Sequence, residues 1–228
     1  MKNMKLYCLI TLALFSISSC HGGNSQANED CGKQISKALG QINNFYFTKQ
    51  TAYLDSALQI LKGVENCSPK YTNIIFNDEV HAYFLKKQFT SALTTLDKVP
   101  ASFFPFPTLK DIFANKIKAK KAEIEGDTIN KKRYYSIIAS IYQHYIDENH
   151  QMFVNTLCQS EYEKIGYKEV DFVVSELYYY ISKAEGIKCA VDKLENYQKS
   201  INGNSLYFDE LEKNIKKNDP DKMGILLY

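Results

Sequence analysis

The feature that most constrains the fold of this chain is a five-slot pattern that occurs three times. When "YLDSALQILKGV" is aligned on "QFTSALTTLDKV", Leu54 falls on Phe89, Ala57 on Ala92, Leu58 on Leu93, Leu61 on Leu96 and Val64 on Val99, an offset of 35 residues. A third copy, "GIKCAVDKLENY", places Ile187, Ala190, Val191, Leu194 and Tyr197 in the same slots. Spacings of three and four put all five side chains on one face of a helix. The small slot is always Ala. It lets a second helix approach closely while the large residues on either side fill the space to the next pair. Ala57, Ala92 and Ala190 are therefore expected at the tightest points of the interior.

Between these copies the periodicity breaks at "CSPK", "VPASFFPFPT", "EGD", "AEG" and "INGN", where Pro, Gly and Asn interrupt helical patterns. No segment alternates in the manner of a strand. The expectation is an all-α chain of stacked antiparallel helical hairpins. The Ala-centred helix, preceded by another helix in each unit, resembles the second helix of a tetratricopeptide repeat, whose period is 34 residues. That resemblance implies a TPR-like α-solenoid with a concave, polypeptide-binding face. Departures are visible too. Lys131 stands where the candidate unit from Ile112 to Gln143 should carry Ala, and the stretch from Asp147 to Gly166 breaks phase.

The amino-terminal segment has a different grammar. Lys2 and Lys5 precede twelve almost wholly apolar or small residues from Leu6 to Ile17, long enough for a signal sequence and too short to span a bilayer. Ile17, Ser18, Ser19 and Cys20 follow, and this order resembles the lipobox of bacterial lipoproteins. The resemblance implies a signal peptide at 1–19 and a diacylglycerol (with further acylation such as palmitate) on Cys20. It also implies a protein tethered in the cell envelope, at the periplasmic face of the outer membrane because the acids Glu29 and Asp30 come late. Residues 20–31 are then expected as a lipidated cysteine and a polar tether, and 32–228 as one repeat domain.

Loss of 1–19 removes two lysines, leaving 26 cations against 26 acids, a formal charge of zero. That balance gives no general affinity for nucleic acid, which needs clustered uncompensated Lys and Arg. The basic run "NKIKAKKAEIEGDTINKKR" is broken by three acids and reads as a solvated helix face.

Cys8 leaves with the signal and Cys20 is consumed by lipid, so Cys31, Cys67, Cys158 and Cys189 remain. Four thiols in an exported chain suggest two disulfides. A hairpin running from about Lys33 to Thr48 and back to Asn66 places Cys31 and Cys67 at the same open end, so these two are expected to pair. Cys158 and Cys189 then pair by exclusion. The spacing of Cys and His suits no zinc site, and no cofactor is expected.

Catalytic constellations are missing from the sequence. His81, His144 and His150 lie within helical patterns, no Ser or Cys stands in a nucleophile context, and there is no Gly-rich phosphate loop. The reading is a non-enzymatic, lipid-anchored scaffold that binds a protein or peptide partner in the envelope. Its alternatives are a glycan- or small-ligand-binding outer-membrane lipoprotein and an immunity lipoprotein that captures a toxin. The residues expected to line the binding face are Asn77, His81, Phe84, Tyr178 and Tyr179, with Phe104 and Phe106 of "FFPFP" at its edge.

Overall fold

A computed structural model describes residues 25–67, 69–104, 108–158 and 168–217. Cys20 and Phe106 lie outside them. Every regular element among these residues is helical: α1 Ser25–Thr48, α2 Thr51–Gly63, α3 Thr72–Leu85, α4 Phe89–Lys98, α5 Thr108–Ile124, α6 Thr128–Glu148, α7 His150–Leu157, α8 Lys168–Glu185, α9 Ile187–Ile201 and α10 Ser205–Lys217. Each long helix packs mainly on its neighbours in the chain. The α1/α2, α3/α4, α5/α6 and α8/α9 pairs form hairpins, α6 packs on α8, and short α7 occupies the stretch where the sequence lost phase.

The repeated Ala slots are where the sequence put them. Ala57, Ala92 and Ala190 are fully buried, each at 0 % exposure. Leu54, Leu61, Leu96 and Leu194 are buried beside them, while Leu93 and Tyr197 are half-buried and Ile187 is exposed.

Each of the four hairpin turns contains a residue at positive φ. Lys49, Lys87, Gly126 and Gly186 each take a positive φ (59°, 60°, 74° and 101°), which reverses the chain within three residues. Gly meets this demand without steric cost, whereas Lys49 and Lys87 take a conformation that L residues disfavour by roughly 1 kcal/mol. Asp127 completes the "EGD" turn by accepting the Asn130 backbone N–H at 3.0 Å, an N-cap for α6.

Two apolar clusters result. The smaller joins α1, α2 and α3 through Ile35, Ala38, Ile42, Leu54, Leu61 and Ile75. The larger runs from α3 to α10 and is rich in Tyr and Phe. Tyr83 of α3 packs against both, so α3 is the seam between them.

Cys31 and Cys67 form a disulfide with Cα atoms 6.1 Å apart, closing the open end of the α1/α2 hairpin as expected. The second expected bridge is absent. Cys158, at the end of α7, is an exposed free thiol donating to the Ile201 carbonyl at 2.8 Å, and Cys189, in the first turn of α9, lies 2.9 Å from the Glu185 carboxylate. They sit at opposite ends of α9, because Ile201 closes the helix that Cys189 opens. Pairing by exclusion ignored that separation.

Residues 25–31, expected in the polar tether, are helical instead. Helix α1 begins at Ser25, so residues 25–31 belong to it. Cys31 is 1 % exposed and fixed by its bridge, and Gln26, Ala27 and Glu29 are good helix formers that extend the anchored turn upstream.

Candidate functional site

Three places concentrate polar chemistry in this apolar stack. The first is a buried nest among α5, α6 and α8. Lys116 donates to Glu176 Oε2 at 2.7 Å, and the Tyr142 hydroxyl donates to the same oxygen at 3.3 Å. Lys116 Nζ also lies 5.4 Å from the centre of the Tyr180 ring, which stacks on Tyr142. Both ionic side chains are almost wholly buried, and Glu176 Oε1 has no hydrogen-bond partner. Burial pushes the Glu176 carboxyl above its ordinary range, opposed by the charge and hydrogen bond of Lys116. The same burial, with Glu176 beside it, raises Tyr142 and Tyr180 far beyond the usual phenol range. A buried nest of this kind orients helices.

The second place is α3. Asp78 and Glu79 are 4 % and 2 % exposed, form no ion pair among the described residues, and leave Asp78 Oδ2 and Glu79 Oε1 without hydrogen-bond partners. Burial lifts Asp78 to a pKa of about 7. Burial, then the neighbouring Glu65, lifts Glu79 to about 7 as well. His81, one turn on, is 4 % exposed and shares a 2.7 Å hydrogen bond with the Tyr46 hydroxyl of α1; its burial lowers it to about 4.

The third place is open. Along α6 a shallow groove is lined by Arg133, Ser136, Ile137, Ser140, Ile141 and His144, together with Thr108 of α5. These positions recur every three or four residues and span about 16 Å of helix. Ile137 and Ile141 are half-buried, the serines and Arg133 are exposed, and His144 faces Glu148 at 3.2 Å. The lining is mixed polar and apolar.

The binding residues expected from the sequence fare unevenly. Tyr178 and Tyr179 are 3 % and 2 % exposed, which removes them from any surface. Helix α8 is packed by α6, α9 and α10 at once, so Leu177 through Ser182 are all buried and no face is left for a groove. They therefore supply no exposed rings for stacking on a glycan. His81 is likewise interior. Phe84 is half-buried with its ring edge-on to Phe89 at 5.9 Å, and Phe104 is half-buried against Phe113 at 5.7 Å; both serve the core. Asn77 is half-buried on α3, away from the α6 groove. The sequence did carry a signal for that groove: the doubled Ser-Ile of "SIIASI", in phase with Arg133 and His144.

No protein family model matches the sequence, and no curated protein or solved structure matches it either. Among the described residues no three His, Cys, Asp or Glu side chains converge as metal ligands, and no helix is long and apolar enough to cross a membrane.

Proposed function

We propose that this chain is a lipid-anchored, non-enzymatic, TPR-like scaffold of the bacterial cell envelope that binds a polypeptide along α6. The observation that carries the reading is the α6 groove. It is open, it runs for three turns of one helix, and it alternates Ser hydroxyls with half-buried Ile side chains, a lining suited to the apolar stripe and polar rim of a docked segment. The buried nest and the α3 acids lie in the interior, so the titratable groups with displaced pKa values do not converge on a shared opening. The repeat spacing and the buried Ala slots support the TPR-like assignment, and "ISSC" supports the anchor.

A photo-crosslinking residue placed at Ile141 in cells is expected to trap one dominant polypeptide, while the same group at exposed Asn196 on α9 traps none. Equal patterns at both positions would count against the groove. The anchor is tested separately: Cys20→Ala should abolish labelling by a fatty-acid analogue and release the chain from the membrane fraction, and retained labelling would sink it.

A further inference from the structure

The α6 groove is not electrically neutral along its length. Its amino-terminal end lies toward the α5/α6 turn; there and at the α8/α9 turn acids and bases are both plentiful but differently employed. Each acid there is engaged. Glu123 meets Lys120 at 3.1 Å, Glu125 meets Lys121 at 3.9 Å, Asp127 caps α6 through Asn130, and Glu185 holds Lys193 at 2.8 Å. The neighbouring cations Lys131, Lys132, Arg133 and Lys188 form no ion pair among the described residues. At the far end the balance inverts, because Asp147 and Glu148 stand in the last turn of α6, which holds no Lys or Arg; Glu148 meets His144 at 3.2 Å and Asp147 accepts from Gln143.

This arrangement runs against the helix. A macrodipole favours acids near the amino terminus and bases near the carboxyl terminus, yet α6 carries Lys131, Lys132 and Arg133 in its first two turns and two acids in its last. The acids of the last turn pair within α6, with His144 and Gln143, whereas Lys132 and Arg133 form no ion pair among the described residues. Ile129, 82 % exposed, also continues the apolar stripe of Ile137 and Ile141 toward the basic end.

We infer that the partner is an amphipathic helical segment with an acidic end, seated so that its carboxylates meet Arg133, with exposed Lys132 beside it, while apolar residues four apart lie on Ile137 and Ile141. This rests on the groove reading above. The groove's length of about 16 Å sets the span at about three helical turns. Charge complementarity of this sort selects the partner and fixes its direction more than it adds affinity.

The test uses the full-length chain in detergent and three synthetic, labelled peptides of about four helical turns. One carries Leu at four-residue spacing with Glu at one end. The second has Lys in place of Glu, and the third has Ser in place of Leu. By fluorescence anisotropy the Glu-ended peptide should bind about tenfold or more tightly than the Lys-ended one in about 0.05 M salt, with the gap closing near 0.5 M. Lys132→Glu with Arg133→Glu should reverse the preference, whereas Ile141→Ser should weaken both Leu-bearing peptides alike. Equal affinity for the Glu- and Lys-ended peptides would overturn the acidic partner and leave the groove standing. Failure of all three to bind would overturn the groove and this inference with it. If the double charge variant abolishes sedimentation with phosphatidylglycerol vesicles while the peptides are not discriminated, the basic end belongs to a lipid surface and the inference falls.

Discussion

The two ends of the stack handle buried charge in opposite ways. Around α5, α6 and α8 the interior is large and tyrosine-rich, and its acid, Glu176, is matched by Lys116 and by the Tyr142 hydroxyl. Around α1, α2 and α3 the interior is small and mostly aliphatic, its acids Asp78 and Glu79 have no cation bonded to them, and a disulfide closes the hairpin. A small core buries too little apolar surface to hold an expensive pair in place. There a covalent bond closes the hairpin instead, and burial raises both acids toward the neutral form.

Removing one member of the pair should give the largest effect. Lys116→Met leaves Glu176 buried and unpaired and should destabilise the chain by about 3 to 5 kcal/mol, while Lys116→Met with Glu176→Leu should recover most of that loss. Urea unfolding of both variants decides it; a single variant as stable as the parent would mean that Glu176 is already held as the neutral acid and that the contrast is false.

Next comes the staple. Replacing Cys31 and Cys67 with Ser frees a loop with a sequence separation of 36 and should cost about 3 to 4 kcal/mol in the chain-entropy description. Hydrogen exchange should show the loss in α1 and α2 before α6 and α8. Uniform loss of protection would instead make the chain one cooperative unit.

The pH response sharpens the comparison through its sign. Asp78 and Glu79 have native pKa values raised to about 7, so the native state takes up protons that the unfolded chain does not hold until about pH 4. Their contribution is absent above pH 7 and grows as pH falls. His81, lowered to about 4, acts the other way below its unfolded value near 6.5. Two acids against one imidazole leave a net uptake of about one proton, and a gain of about 2 kcal/mol between pH 7 and pH 5. In Asp78→Asn with Glu79→Gln the gain should be lost and stability should fall over the same range, because of these three groups only His81 remains. A flat profile in the parent would place these carboxyls in contact with water.

The smallest effect is expected at a repeat slot. Ala92→Leu should strain the α3/α4 hairpin by about 1 to 2 kcal/mol, the lower range for overpacking, because Leu93 beside it is only half-buried and can give way. Thermal melting by circular dichroism reads this, and an unchanged melting temperature would count against the Ala slot as the closest approach.

Local rules explain what the sequence disclosed. Helical periodicity exposed the elements, the Ala slots marked fully buried positions, and hairpin logic joined Cys31 to Cys67, because each depends on residues near in sequence or on one reversal. The nest was not legible, since Lys116 and Glu176 are 60 positions apart and nothing local distinguishes either from a surface charge. Tyr178 and Tyr179 misled for a related reason. Whether a polar-aromatic helix lines a groove or fills a centre depends on how many helices pack on it, and α8 meets three. The α6 groove was visible as a doubled Ser-Ile, but a helix with buried Tyr135, Ile138 and Tyr142 on its other side draws the eye to the core.

The position of the Cys31 to Cys67 bridge also has a mechanical meaning. A pull on the chain upstream of Asp30 would, without the bridge, peel α1 from α2 turn by turn. With it, the load passes at Cys31 directly into the end of the α2 hairpin and the 3₁₀ turn Pro69–Tyr71 that leads to α3. The force is shared across the small core at once, and α1 behaves as a strut clamped at its base.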